Sequence, residues 1–182
     1  MKKSYKPSGS REKSPLTVEQ QRQLVAKAEG KTKALLILIL STGMHPKILS
    51  KNAYKLEWGP NYYTFLRTKT FKRLHGSWSP AMKERHGILI EGVYRIKNRT
   101  PQRYWQLLKE LGRECKISGL CPLQCRKTYF VNRARQGVNA YDIAQAAQTS
   151  MSTIYHHYMK GSTERKRLSE DDKEWLDWLM GD

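Results

Sequence analysis

The chain has 182 residues, with 34 Lys and Arg against 16 Asp and Glu, a formal charge of +18 and 38% hydrophobic residues, which fits one domain with a sizeable core and flexible ends. Its longest apolar run, Ala34 to Leu40, is far short of the roughly 20 residues that a membrane-spanning helix needs, and no apolar stretch follows Met1-Lys2-Lys3-Ser4-Tyr5 to act as a signal peptide, so a soluble, intracellular (cytoplasmic) protein is expected. From Ser169 to Asp182 six acids stand against Lys173, a local balance of −5 that leaves +23 on the 168 residues before it and makes a polyanion, nucleic acid first, the expected partner.

In chain order, residues 1–15 carry Lys2, Lys3, Lys6, Arg11 and Lys13 among Ser, Gly and Pro and read as a disordered basic tail. Thr17-Val18-Glu19-Gln20 has the form of a capping box, and the helix it opens is expected to stop at Gly30. The stretch Ala34-Leu35-Leu36-Ile37-Leu38-Ile39-Leu40 is apolar on every side, which predicts a central buried helix closed by Gly43. Pro46 suits the first turn of a third helix reaching about Asn52.

The period then changes. Tyr54 to Trp58 and Tyr62 to Thr68, separated by Gly59-Pro60-Asn61, read with Arg73 to Ser79 as a small antiparallel sheet. Arg67, Lys69, Lys72 and Arg73 gather four cations around the last connection, the first candidate DNA contact. Thr100-Pro101 caps a helix in which Tyr104, Leu107, Leu108, Leu111 and Cys115 recur at helical spacing, with Gly119 ending it or its tail. Further helices are expected over Leu123 to Gln136, ended by Gly137, over Ala140 to Ala147 behind Asn139, and over about Ser150 to Met159. The class is therefore mainly α with a small antiparallel β-sheet, residues 16–162 forming the domain and 163–182 an acidic amphipathic helix.

Four stretches carry a resemblance. Ser41-Thr42-Gly43-Met44-His45, Arg67-Thr68-Lys69-Thr70, Cys121-Pro122-Leu123-Gln124-Cys125-Arg126-Lys127-Thr128-Tyr129-Phe130 and Ser150-Met151-Ser152-Thr153-Ile154-Tyr155-His156-His157-Tyr158 resemble, in order, the boxes of the phage-integrase family of tyrosine recombinases. The resemblance covers about residues 16–160 and implies that family's catalytic-domain fold without its usual amino-terminal core-binding domain. It also implies double-stranded DNA as partner and chemistry in which a tyrosine hydroxyl attacks a phosphodiester to form a 3′-phosphotyrosyl bond. Two arginines clamp the phosphate, for which the planar fork of Arg is suited, while a lysine and histidines move protons.

Carried over by position, Tyr158 matches the nucleophile, Arg126 the second clamp arginine and Lys69 the hairpin lysine, with His157 beside the nucleophile and Arg133 and Arg135 as further phosphate contacts. Three positions depart. His45 stands where the family has its first arginine, Leu123 where box two has a histidine, and Gln148 where a histidine or tryptophan precedes the tyrosine helix; Lys127 replaces a frequent second histidine. The expectation is a DNA-binding protein of recombinase fold whose strand cleavage is lost or severely weakened. The alternative is an active minimal recombinase, and a basic ribonucleoprotein component stands behind both.

No metal or other cofactor is expected. Cys115, Cys121 and Cys125 are an odd number in a chain too large to need a disulfide framework and read as reduced thiols, no second ligand pair completes a zinc site, and no glycine-rich phosphate loop is present. Ser169-Glu170-Asp171-Asp172 caps a last helix bearing Trp175, Leu176, Trp178, Leu179 and Met180. That helix either docks into a second copy on DNA, making a homo-oligomer, or covers the basic surface of its own chain, or completes the core.

Overall fold

The apolar block decides the architecture. In the computed structural model, which describes residues 14–45, 54–58, 62–67, 73–77, 84–87, 100–155 and 168–180, helix α2 (Gly30–Thr42) is buried without interruption from Ala34 to Thr42. A helix with seven consecutive aliphatic residues has no polar face and is stable only when covered all round. Cover comes from α1 (Val18–Lys27), α3 (Pro101–Glu114), α4 (Pro122–Arg135) and α7 (Glu170–Met180), all of which touch α2. Helices α5 (Ala140–Ala146) and α6 (Met151–Ile154) pack on each other, and α5 leans on α4.

Strands β1 (Tyr54–Trp58), β2 (Tyr62–Arg67) and β3 (Arg73–Ser77) pair antiparallel in the order β1-β2-β3, with Tyr54 opposite Arg67 and Leu66 opposite Arg73. Arg67 and Arg73 thus lie at the same end of the β2–β3 pair.

Helix starts follow local chemistry. Thr17 Oγ1 accepts from the Gln20 amide at 3.2 Å while Gln20 Oε1 accepts from the Thr17 amide at 3.0 Å, the reciprocal capping box. Asn139 caps α5 through the Asp142 amide at 2.9 Å, and Ser169 caps α7 through the Asp172 amide at 3.2 Å.

Helix ends are less faithful to their glycines. Gly43 closes α2 in the left-handed region at φ 63°. The stop expected at Gly30 falls earlier: α1 ends at Lys27, Ala28 is extended, and Gly30 opens α2. Helix α3 likewise ends at Glu114, well before Gly119, because Lys116 takes φ 57° and the chain folds back, the Ile117 amide donating to the Gly112 carbonyl at 2.7 Å. The same six-to-one closure ends α4, from the Val138 amide to the Arg133 carbonyl at 3.0 Å, and α5, from the Thr149 amide to the Ala144 carbonyl at 2.9 Å. Gly137 supplies the left-handed residue in one case and Gln148, at φ 57°, in the other. The third helix expected over Pro46 to Asn52, residues 1–13 of the tail, and the expected continuation of α6 beyond Tyr155 lie outside the described residues.

Candidate functional site

Arg126 sits in the second turn of α4 and is 9% exposed. Its Nη1 donates to the carbonyl of Gly43, its Nη2 donates to the carbonyl of Ala147 at 3.0 Å, and its guanidinium carbon lies 5.1 Å from the centre of the Phe130 ring. Gly43 and Ala147 are the C-caps of α2 and α5, so the cation stands where two helices direct the negative ends of their dipoles. Hydrogen bonds donated by a charged group are stronger than neutral ones, which compensates the burial of this charge.

The same arginine therefore joins two of the sequence boxes. Gly43 belongs to the turn that ends in His45, and Ala147 precedes Gln148 and the start of α6. His45, Lys127 and Gln148 are half-buried, whereas Leu123, three residues before Arg126 on α4, is 58% exposed. Cys125, adjacent to Arg126, is fully buried, and burial pushes its thiol far above the ordinary range. Arg133 and Arg135 lie at the far end of α4; Arg133 Nη1 donates to Gln136 Oε1 at 3.1 Å, and Gln136 Nε2 donates to Asp177 Oδ1 of α7 at 3.1 Å. Lys69, Lys72, His157 and Tyr158 lie outside the described residues, as do the side chains of Arg67 and Arg73.

No family model matches the sequence, and no curated protein matches it. Solved structures do. The chain is similar to XerA recombinase with a TM-score of 0.64 at 14% identity, covering 91% of this chain and 64% of that one. It is similar to XerH site-specific recombinase bound to palindromic difH substrate in a post-cleavage complex, with a TM-score of 0.58 at 14% identity, covering 94% of this chain and 54% of that one. The pre-cleavage complex of XerH with difH gives 0.57 at 16% identity, covering 84% of this chain and 53% of that one. The chain has a recombinase fold. It spans between 53% and 64% of the length of these recombinases.

Within this recombinase fold, α7 is anchored in its own chain. Leu176, Leu179 and Met180 are buried, the latter two in the common core. At its amino end Arg22 of α1 donates to the Asp171 carbonyl, pairs with Asp172 at 3.6 Å and lies 5.9 Å from the centre of the Trp175 ring. At its carboxy end Arg85 donates to the Asp177 carbonyl at 3.0 Å and the ring Nε2 of His86 is 3.0 Å from the Trp178 carbonyl, so the single helical turn over 84–87 caps carbonyls that α7 leaves open. Sequence reading missed Arg22, Arg85 and His86 because their partners are backbone groups or charges more than 90 residues away. Phe130, four residues after Arg126, was legible in principle, since that spacing stacks one side chain on the next. No described helix is long and apolar enough to cross a membrane.

Proposed function

We propose that this chain binds double-stranded DNA through its recombinase fold, and that its own strand cleavage is lost or severely weakened, so that it serves DNA recombination or integration, or their regulation, chiefly as a binding protein. The observation that carries this is the convergence on Arg126 of the turn ending in His45 and the turn containing Gln148, in a fold shared with recombinases solved on their DNA substrates. The excess of cations over the body of the chain supports a phosphate backbone as ligand, since each neutralised phosphate releases counterions.

The departures support impairment. Leu123 offers no proton, and its exposed position leaves an apolar side chain where the resemblance implies a histidine. His45 in place of arginine lacks the planar fork that holds two phosphate oxygens at once. Loss of one such charge stabiliser costs about 3–4 kcal/mol, or roughly 10² to 10³ in rate. On this reading Tyr158, Lys69, Lys127 and His157 keep the positions of the resembled family's nucleophile and proton-moving groups, and Arg67, Lys72, Arg73, Arg133 and Arg135 contribute to the DNA-facing charge. Docking of the buried face of α7, Leu176, Leu179 and Met180, into a second copy would first require α7 to leave α2.

Incubation with nicked duplexes, scored for shifted complexes and for covalent adducts on a denaturing gel, tests this. Salt-sensitive duplex binding without an adduct is expected. An adduct abolished by Tyr158→Phe would establish an active recombinase instead, and preference for RNA over duplex DNA would overturn the reading altogether.

A further inference from the structure

Arg126 is the position at which the resemblance implies a phosphate clamp, yet its surroundings describe a different task. The residue is 9% exposed, and both terminal nitrogens of its guanidinium donate to backbone carbonyls, one at Gly43 and one at Ala147, 83 and 21 residues away along the chain. Its guanidinium carbon lies over the Phe130 ring. The α4 helix grips the first of these turns a second time: a Cβ at Gly43 would stand 2.3 Å from Cδ1 of Tyr129, so the tyrosine ring rests directly on the glycine backbone. Arg126 and Tyr129 are one helical turn apart and hold the same residue from two sides.

From this geometry we infer that Arg126 is a positioning residue, tying the 43–45 turn to the 147–149 turn and so fixing His45 and Gln148 relative to each other, rather than a ligand of DNA phosphate. The inference rests on the reading above only in taking these turns as the DNA-facing site. The chemistry favours arginine for such a tie. A planar fork reaches two carbonyls on diverging chains at once, and a positive charge between two helix C-termini is favourable without any carboxylate. Lysine supplies the charge at a single point and cannot span both turns.

The two roles separate experimentally. In Arg126→Lys, hydrogen exchange of the Gly43 and Thr149 amides is expected to accelerate together by about tenfold or more, beyond any uniform change across the helices, because both turns lose their common anchor. The dependence of duplex affinity on salt should keep its slope in Arg126→Gln as well, whereas loss of a phosphate contact would lower the slope by about one unit in Arg126→Gln and lysine would largely restore it. Unchanged exchange at both turns, or a slope that falls in Arg126→Gln and returns in Arg126→Lys, would overturn the inference. The wild-type protein supplies a measurement that needs no variant: distinct, slowly exchanging Nη1 and Nη2 resonances for Arg126 are expected, and a duplex of about 20 base pairs should leave them in place. Rotational averaging of those resonances, or their displacement by the duplex, would also overturn it. Should wild-type protein bind no duplex at all, the proposed function fails while the spectrum of the free protein still decides the tie.

Discussion

The ring of Tyr129 fills the space in which a side chain at Gly43 would begin, with Cδ1 at 2.3 Å and Cε1 at 2.7 Å from an ideal Cβ position. Gly43 also holds φ 63°, so two independent requirements exclude any other residue there. Gly43→Ala should destabilise the protein by about 2–4 kcal/mol, combining overpacking with left-handed strain, and lower Tm by roughly 6–12 °C. In a Tyr129→Leu background the same change should cost only about 1 kcal/mol, since the clash is relieved and the backbone strain remains. Calorimetry on the four proteins of the cycle checks this, and a strictly additive cycle would contradict the close approach.

A second prediction concerns two amides in the core. Gln21 and Asn132 are fully buried and exchange hydrogen bonds, Asn132 Nδ2 to Gln21 Oε1 at 2.8 Å and Gln21 Nε2 to Asn132 Oδ1 at 3.3 Å, joining α1 to α4. Replacing either alone by Leu leaves the other amide buried without its partner and should cost about 1–3 kcal/mol in urea unfolding. The double replacement should recover part of that loss. A double variant as unstable as the sum of the single ones would show that the pairing contributes nothing specific.

Thiol chemistry gives a third. Cys115, Cys121 and Cys125 are all free, and only Cys121 is partly accessible. Burial raises the thiols of Cys115 and Cys125, which disfavours the reactive thiolate. A thiol reagent at neutral pH should therefore modify Cys121 alone in the native state and all three cysteines in urea, read by peptide mass spectrometry. Early labelling of Cys125 would mean that the start of α4 is open in solution.

The fourth concerns pH. His86 is 1% exposed. Burial, first, and the nearby charge of Arg85 hold its imidazole below the usual 6.5, against the raising effect of its bonds to the backbone at Trp178 and Leu179. A lowered folded-state value favours the neutral ring, so the contribution to stability is complete above pH 6.5 and is lost as pH falls below it towards the folded value. The wild type should therefore lose more stability than His86→Asn when the pH is lowered from about 7 to about 5. Equal losses would mean that another group dominates the acid response.

The sequence was most legible where structure is decided within a few residues. Thr17 and Gln20 satisfy each other across three positions, and the aliphatic run of α2 can only be internal, so both were plain. Glycine is ambiguous because the same lack of a Cβ suits a helix end and a helix start; Gly30 reads as the first and is the second. The end of α3 is hidden because Lys116, rather than glycine, adopts the left-handed turn, whereas α5 ends within one residue of the expected Ala147. The bonds of Arg126 to the carbonyls of Gly43 and Ala147 were not legible, because backbone acceptors carry no side-chain signal and lie far off along the chain.

The unbroken aliphatic surface of α2 has a consequence for how this chain survives in a cell. An amphipathic helix that comes loose still has a hydrated side, whereas Ala34 to Leu40 have none, and four separate helices must arrive before that stretch is shielded. Nascent or heat-loosened molecules would present an adhesive seam until the last of those helices closes, so the yield of native protein should depend on chaperone capacity and low concentration more than on net stability.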